Sequence, residues 1–358
     1  MLTNNNDFSD VKLLFVYKNN SQDPTQKSLI NSFPRFLKGF QTFCFNPQER
    51  KRFDPEKMNV SNRFIEAVSN HKPTHIFMWL VYLNPEEIQW CKKKGIKMIA
   101  AINGFASFST GLFKSRELYI KSLQLLDIFF IPHEPHIAKM RSLGINAIEL
   151  PFSFDPSTFR RLPLIRLSQC YLNKFFFVGN FGDGSEQSHY RIDMLKYVAQ
   201  YGKLLTVSDI KIDHQNIRHS KPIPYESVLN ILANLSKFLI CSDFFPNLNE
   251  YNGFNESEVT DYDDDYKYAI RPRIYTMIGA GSPVIIERHQ QLQRFFQEEK
   301  HLIMWSGYEE LKDKLSYYDA NHAAYIRIAK EAMDHVKKFH TTDNRIQNII
   351  LPALKSIK

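Results

Sequence analysis

Short apolar runs alternate with amphipathic segments along most of this 358-residue chain. The runs are rich in Val, Ile, Leu and Phe, which is typical of strands that are buried on both faces of a parallel sheet. Several of the segments between them have the length and periodicity of helices. This alternation indicates βαβ units and predicts an α/β fold. The predicted strands cover residues 11–17, 74–82, 97–102, 125–131, 147–150, 173–178, 204–207, 237–241 and 284–286.

The length of the chain predicts two domains rather than one. A single hydrophobic core seldom extends over so many residues, so two domains of about 170 residues each are expected. Hydrophobic residues make up 43% of the sequence and aromatic residues 14%, which is enough to fill two cores.

The chain is basic, with 46 Lys and Arg against 38 Asp and Glu, a formal net charge of +8 and a pI near 9.1. This charge favours an acidic partner such as a nucleotide diphosphate, a nucleic acid or an anionic membrane surface. Net charge alone does not choose among them. No zinc-finger, helix-turn-helix or RNA-recognition signature is present, so we do not expect nucleic acid as the partner.

The cysteines and the N-terminus predict a reduced, cytoplasmic and soluble protein. The four cysteines are far apart in sequence and lack the Cys-x-x-Cys spacing of zinc or redox sites. The first residues lack the basic and apolar stretches of a signal peptide, and no run approaches the roughly 18 apolar residues that a membrane span needs. The cysteines are Cys44, Cys91, Cys170 and Cys241.

Residues 27–53 interleave basic side chains with phenylalanines, five of which lie between residues 33 and 45. One interpretation is a surface for lipid headgroups or a large acceptor, and thus peripheral contact with a membrane. The other is an amphipathic helix followed by a strand, with the phenylalanines in the core. Pro34 and Pro47 would break a long helix lying on a membrane, which favours the core interpretation.

The stretch from residue 268 to 287 has the clearest local pattern. Pro272 suits the first turn of a helix, the apolar residues that follow repeat at helical spacing, and Gly281 can adopt the left-handed conformation that ends it. The β-branched run 284–286 then predicts a buried strand. Arg271 and Arg273 therefore stand at a helix N-terminus, where free backbone amides, the helix dipole and two guanidinium groups favour a phosphate or diphosphate.

A glycine-rich loop at residues 179–185 follows the predicted strand 173–178. Its backbone can approach a phosphate closely, although its spacing matches neither the dinucleotide fingerprint nor the P-loop. Arg191 lies one to two turns into the next helix and can reach back to the same anion. By itself the loop is also compatible with a simple turn of the chain.

Three motifs, in this order, resemble the CgeB-like proteins within the group 1 (retaining, GT-B fold) glycosyltransferases. The first is Phe-Phe-Phe-Val-Gly at residues 175–179, followed by Arg191. The second is Arg-x-Tyr-x-Met-x-x-x-Gly-Ser-Pro-Val-Ile at residues 273–285. The third is His-Thr-Thr-Asp-Asn-Arg-Ile at residues 340–346. The resemblance covers roughly residues 95–356, and it is strongest from residue 174 onward.

The resemblance implies two Rossmann-like domains with a cleft between them and a hinge near residues 151–168. The N-terminal acceptor domain would cover residues 1–160, joined by a C-terminal helix at 341–358 that crosses back to it, and the C-terminal domain at 161–340 would bind the nucleotide-sugar. Asn103 and Gly104, which follow the strand ending at Ile102, are candidates for contact with the acceptor, although a simple turn of the chain is the preferred interpretation there. The donor and its diphosphate would contact Gly179, Gly182, Arg191, Arg271, Arg273, Tyr275, Thr276, Gly281 and Ser282.

The activity that the resemblance implies is sugar transfer from a nucleotide-diphosphate sugar to an acceptor hydroxyl with retention at the anomeric carbon. The acceptor would be a glycan, a lipid-linked molecule or a protein. The arginines would stabilise the departing diphosphate without a metal, and no cofactor is expected. The family usually has Glu where this chain has Thr276. A non-catalytic homologue that binds a nucleotide, a glycan or a partner is therefore the alternative.

Two further segments contain possible metal ligands. Asp263, Asp264 and Asp265 form an Asp-x-Asp pattern, but in a polar loop rather than at the end of a strand, so a solvated loop is the preferred interpretation. His133 and His136 flank a proline and lack the spacing of a helical two-histidine site. They are better explained by the start of a helix.

Overall fold

The computed structural model describes residues 8–18, 24–45, 62–102, 116–163, 171–181, 186–243 and 270–357. The chain divides into two compact units. The first comprises Met1–Pro151 and Thr342–Lys358, and the second comprises Phe152–Thr341. The last helical segment of the chain therefore belongs to the unit that contains the N-terminus.

The first unit contains a six-stranded sheet in which every neighbouring pair is parallel, in the order β2-β1-β3-β4-β5-β6. Its strands are β1 (Lys12–Lys18), β2 (Gly39–Phe45), β3 (His75–Trp79), β4 (Lys97–Ala101), β5 (Ile128–Ile131) and β6 (Ala147–Glu149). Its helices are α1 (Pro24–Ser32), α2 (Asn62–His71), α3 (Pro85–Lys93), α4 (Arg116–Gln124) and α5 (Pro135–Ser142), and the C-terminal segment has helical turns at Thr342–Arg345, Ile346–Ile350 and Leu351–Ser356.

Aromatic side chains fill the core of the first unit. Phe33 is fully buried, and its ring lies 5.9 Å from that of Phe15 and 6.0 Å from that of Phe77. Ile346 and Leu354 of the C-terminal segment belong to the same cluster. The core interpretation of the phenylalanines in residues 27–53 is thus confirmed for Phe33, Phe43 and Phe45, which are buried.

The second unit contains another six-stranded parallel sheet, in the order β12-β11-β10-β7-β8-β9. Its strands are β7 (Asn173–Val178), β8 (Leu204–Val207), β9 (Ile217–Ser220), β10 (Ser236–Ile240), β11 (Val284–Glu287) and β12 (Ile303–Trp305). Its helices are α6 (Glu186–Ala199), α7 (Glu226–Asn234), α8 (Pro272–Ala280), α9 (Gln290–Gln293), α10 (Tyr308–Ala320) and α11 (His322–Phe339).

Hydrophobic clusters cover this sheet, and α8 is the most deeply enclosed of its described helices. Every residue of α8 from Ile274 to Ala280 is buried. Gly281 then ends the helix with a φ of 92°, the left-handed conformation expected from the sequence. The predicted α/β fold with parallel sheets is confirmed in both units.

Three local features differ from what the sequence predicts. The spacing of apolar residues at 292–299 predicts a helix, but the structure has only the single turn α9, and Glu298 instead forms a bridge with Leu302 and pairs its carboxylate with Arg288. The strands β9 and β12 are not predicted, because Ile-Arg-His-Ser of β9 lacks an apolar alternation and β12 has only three residues. Among the described residues, no helix combines the length and apolar character needed to cross a membrane.

Candidate functional site

The candidate site lies at the carboxyl edge of the second sheet, where the strand order changes direction. β7 and β10 are neighbours, although β8 and β9 lie between them in sequence. In an open α/β sheet, ligands bind outside the carboxyl ends of the strands at such a switch point. Gly179 follows β7 and Cys241 follows β10.

Arg273 extends from the first turn of α8 to the backbone that follows β7. A Cβ atom placed on Gly179 would lie 2.5 Å from Nη1 of Arg273 and 3.0 Å from its guanidinium carbon, the first of which is closer than real Cβ contacts. The guanidinium carbon also lies 5.8 Å from the centre of the Phe177 ring, within cation–π range. Glycine at position 179 is therefore needed for Arg273 to pack here, and two of the sequence motifs meet at one point.

Arg191 approaches the same backbone from α6. Its Nη1 donates a hydrogen bond to the carbonyl of Asn180 at 3.0 Å, and the residue is only 4% exposed. The amide of Phe181 donates to Oδ1 of Asp209 at 2.8 Å, and the hydroxyl of Ser188 donates to the carbonyl of Phe181. These bonds fix the chain immediately after Gly179.

Arg271 is the N-cap residue of α8, with extended backbone angles of φ −102° and ψ 150°. Its carbonyl accepts a hydrogen bond from the amide of Ile274 at 3.1 Å. The side chains of Arg271 and Arg273 therefore project from the positive end of the helix dipole. Thr276, one turn later, donates its hydroxyl to the carbonyl of Arg273 at 2.9 Å and is largely buried.

The three guanidinium groups are close enough to change one another's pKa. Burial, followed by the charges of Arg271 and Arg273, lowers the pKa of Arg191 to about 9. Burial also lowers the pKa of Arg273, and the charge of Arg271 adds to that effect. Holding like charges together at a poorly solvated position costs free energy, which a bound anion would offset. This arrangement suits a ligand with more than one negative charge.

Two buried carboxylates lie within electrostatic range of these arginines. Asp243 follows β10, Glu287 ends β11, and the amide of Asp243 donates to Oε2 of Glu287 at 3.3 Å. Burial raises the pKa of Glu287, and the charge of Asp243 raises it further. His289 accepts from the amide of Leu292 at Nδ1, which leaves the proton of a neutral ring on Nε2, 3.7 Å from Oδ2 of Asp243. The acids partly balance the positive charge.

The structure does not bring all the predicted donor-binding residues to this place. Tyr275 is fully buried in the core, with its ring 5.4 Å from that of Phe296 and 5.2 Å from that of His340. Gly281 and Ser282 follow the far end of α8, and the hydroxyl of Ser282 donates to the carbonyl of Ser236, the first residue of β10. Tyr275, Gly281 and Ser282 therefore hold α8 in place and lie away from the arginine cluster, and their contact with a donor stays a prediction.

Several predicted residues lie outside the described part of the chain. They are Gly182 of the glycine-rich loop, the acceptor-side pair Asn103 and Gly104, and the Asp-x-Asp segment of Asp263, Asp264 and Asp265. His133 and His136 are described and stand at the start of α5, as the sequence indicated. In the described ranges, no group of three or more His, Cys, Asp or Glu side chains is arranged to hold a metal ion.

The third sequence motif serves packing rather than the arginine site. The carbonyl of His340 accepts from the amide of Phe154, and Phe154 pairs with Thr341 as a parallel bridge. In the first unit, Nε of Arg345 donates to the carbonyl of Pro151 at 2.9 Å. These bonds anchor the last segment of the chain.

Residues 186–350 match the model of a family described as glycosyl transferase-like. Comparison with curated proteins gave no match. The matched range includes Arg191, Arg271 and Arg273, and it extends from α6 into the C-terminal helical segment.

Solved structures with the same fold include several sugar-transferring enzymes. Sucrose-phosphate synthase from Thermosynechococcus elongatus is 10% identical, with a TM-score of 0.62 over 97% of this chain and 100% of its own. HepE from Anabaena, in complex with UDP and glucose, is 10% identical, with a TM-score of 0.63 over 97% and 100%. Trehalose 6-phosphate synthase from Burkholderia multivorans is 9% identical, with a TM-score of 0.61 over 97% and 99%. The chain therefore has the GT-B fold of these glycosyltransferases, and residues 186–350 match the glycosyl transferase-like family.

Proposed function

We propose that this protein is a glycosyltransferase that transfers a sugar from a nucleotide-diphosphate sugar to an acceptor hydroxyl. The observation that supports this most strongly is the convergence of Arg191 and Arg273 on the backbone at residues 179–180, at the switch point of the second sheet, with Arg271 within electrostatic range of both. HepE, which has the same fold, was solved with UDP and with UDP-glucose. A donor of this class carries the charge that the arginines require.

The chemical role of the arginines follows from where charge develops during the reaction. As the bond between the anomeric carbon and the diphosphate breaks, negative charge increases on the leaving phosphate and the sugar becomes oxocarbenium-like. Fixed guanidinium groups bind that state more tightly than the intact donor, and this difference raises the rate. As the acceptor oxygen forms the new glycosidic bond, the bond from the anomeric carbon to the diphosphate breaks, and the departing diphosphate takes up the proton of the acceptor hydroxyl.

We also propose the stereochemical outcome of the reaction and its independence from metal ions. We infer retention at the anomeric carbon from the resemblance to retaining glycosyltransferases. We infer independence from metal ions because three guanidinium groups at one site can supply the charge that a divalent cation supplies elsewhere. Transfer that continues unchanged in EDTA, with a product of the same anomeric configuration as the donor, is the expected result.

A non-catalytic nucleotide-binding or glycan-binding protein is the second candidate, and Thr276 is the observation that favours it. The family motif usually has a carboxylate at this position, whereas the Thr276 hydroxyl donates to the carbonyl of Arg273 within its own helix. A buried hydroxyl committed to the backbone cannot supply the charge of a carboxylate. Such a protein would bind the nucleotide and would not turn the donor over.

A thermal-shift screen with UDP, GDP, CMP and dTDP sugars, followed by turnover with a broad acceptor mixture, separates these functions. We expect one donor to raise the melting temperature, and Arg273→Ala to abolish both this rise and turnover. Arg327→Ala, an exposed arginine on α11, serves as the matched control. Binding without turnover in the parent protein would support the non-catalytic function, and no response to any nucleotide would contradict both.

A further inference from the structure

The excess positive charge of this protein lies in its first unit. That unit contains 23 Lys and Arg against 14 Asp and Glu, whereas the second contains 23 against 24. The formal net charges are therefore +9 and −1. The arginine cluster belongs to the second unit, so it does not account for the excess.

Much of the excess lies at one edge of the first sheet, where its parallel strands begin. Lys12 is the first residue of β1 and Lys97 is the first residue of β4. The start of β3 lies between them, since Leu13 pairs with His75 and His75 pairs with Lys97. Neighbouring strands are about 4.8 Å apart, so the two lysine backbones are separated by roughly 10 Å. We call this the amino edge.

Three further segments bring lysines to the amino edge. Lys72 is exposed and lies two residues before Thr74, whose amide donates to the carbonyl of Lys12. Lys93 is the last residue of α3 and Lys94 is its C-cap residue. Both are exposed, and the chain then turns into β4, which begins at Lys97. Lys355 comes from the last helix, and its Nζ lies 4.2 Å from the centre of the Phe8 ring, just before β1.

Aromatic rings accompany these lysines. The Nζ atom of Lys94 lies 4.9 Å from the centre of the half-exposed Trp90 ring. Phe8, beside Lys355, is half-exposed as well. Lysines next to partly exposed aromatic rings are typical of surfaces at the boundary between water and lipid, where the rings lie at headgroup depth.

Helix dipoles explain only part of this pattern. Lysines at the C-terminal ends of α2, α3 and the last helix complement the negative ends of their dipoles. Lys12 and Lys97 instead begin strands, although α2 ends at His71, close to Lys12. Acidic residues balance the edge incompletely: Asp127 pairs with Lys92 at 3.0 Å, and Asp10 lies beside β1. The lysines named here outnumber the two acidic residues beside them, so the amino edge is positively charged.

We propose that the amino edge of the first unit binds an anionic membrane surface. Lysines on long flexible stems, spread along several strand ends, suit the diffuse negative charge of a lipid headgroup layer, to which each contributes about 1 kcal/mol. The flanking aromatic rings add affinity at headgroup depth. Sugar donors bind elsewhere in the chain under our proposed function, so membrane binding does not depend on it.

Co-sedimentation of the full chain with vesicles tests this proposal. The vesicles are phosphatidylcholine alone or phosphatidylcholine with one third phosphatidylglycerol, each at low and high salt. We expect binding only to the anionic vesicles at low salt. The triple variant Lys72→Gln, Lys93→Gln, Lys94→Gln should lower the partition coefficient by roughly 100-fold, from about 1 kcal/mol for each lysine.

The matched control is a triple variant of α11 with Lys330→Gln, Lys337→Gln and Lys338→Gln. These lysines are exposed, and the Nζ atom of Lys338 lies 4.9 Å from the centre of the Phe339 ring. The control removes the same charge from the second unit and should leave vesicle binding unchanged. Equal losses in both triples would overturn the proposal, as would no binding by the parent protein. Binding of a duplex oligonucleotide, but not of vesicles, that depends on the amino-edge lysines would show a nucleic-acid surface instead.

Discussion

Replacing Gly179 with alanine should weaken nucleotide diphosphate binding without removing any charge from the site. The new Cβ would lie 2.5 Å from Nη1 of Arg273, and contacts below about 3.0 Å are not tolerated. The atom that must move is the end of a flexible side chain rather than backbone, so we expect the guanidinium to shift while the fold persists. Loss of one charge-assisted interaction costs about 1.5 to 3 kcal/mol, or roughly 10- to 150-fold in affinity.

Isothermal titration with the preferred nucleotide diphosphate measures this effect, and a double-mutant cycle assigns it to the Arg273 contact. If Gly179→Ala acts by displacing Arg273, then adding it to Arg273→Ala should cost little more, because the two residues act as one unit. A melting temperature close to that of the parent would show that the loss is local. Unchanged affinity in Gly179→Ala, or full additivity in the double variant, would refute the reasoning.

Three further predictions follow from buried groups. Asp243→Asn should tighten nucleotide diphosphate binding by about 1 kcal/mol, roughly fivefold by titration, because it removes a negative charge near the arginines; weaker binding would mean that Asp243 mainly positions them. Burial, followed by the charge of His335, lowers the pKa of His301 to about 4. The contribution of the neutral His301 ring to stability is therefore complete above its unfolded pKa near 6.5 and falls as the pH drops toward 4. Between neutral pH and pH 5, the free energy of unfolding should fall by roughly 1–2 kcal/mol more in the parent than in His301→Gln. Parallel pH profiles of the two proteins would contradict this. Burial raises the pKa of Cys91 to about 12. An alkylating reagent at pH 8 should therefore modify Cys44 in the folded protein and leave Cys91 unmodified, as measured by mass spectrometry. Fast labelling of Cys91 would contradict its burial.

The strands of the two sheets and the helix α8 could be predicted because each has a local pattern in the sequence. Buried parallel strands have continuous apolar sequences, and the runs at residues 173–178 and 284–286 correspond closely to β7 and β11. The helix after Arg271 was bounded by Pro272 and Gly281, whose backbone preferences are strong. Because Arg271 directly precedes this helix and Arg273 lies in its first turn, both are placed at its N-terminus.

The predicted site residues that lie away from the arginine cluster show what a motif does not encode. Tyr275 follows Arg273 by two positions, which is about 200° around a helix, so the two side chains point to opposite faces. Gly281 lies eight residues beyond Arg273, about 12 Å along the helix axis. The same sequence motif therefore contains residues that pack α8 into the core and residues that lie at its N-terminal end, beside the arginine cluster.

The buried carboxylates could not be predicted from their neighbours in sequence. Asp243 follows a strand and precedes a polar segment, a position typical of a solvated loop, yet it is 1% exposed. Glu287 ends a strand in the same way. Only the adjacency of β10 and β11 brings them together near Arg191, and that adjacency is a property of the sheet order. The signal available in the sequence was an acidic residue at the end of each of two buried runs.

We propose that the three arginines bind the diphosphate of a nucleotide-sugar. The most direct test of this proposal is the affinity of the parent protein for a nucleoside diphosphate compared with the corresponding monophosphate, measured by titration at constant salt and repeated in Arg273→Ala. We predict that the diphosphate binds at least about tenfold more tightly than the monophosphate, and that Arg273→Ala removes most of this preference. Equal affinities in the parent, or a preference that survives in Arg273→Ala, would contradict it.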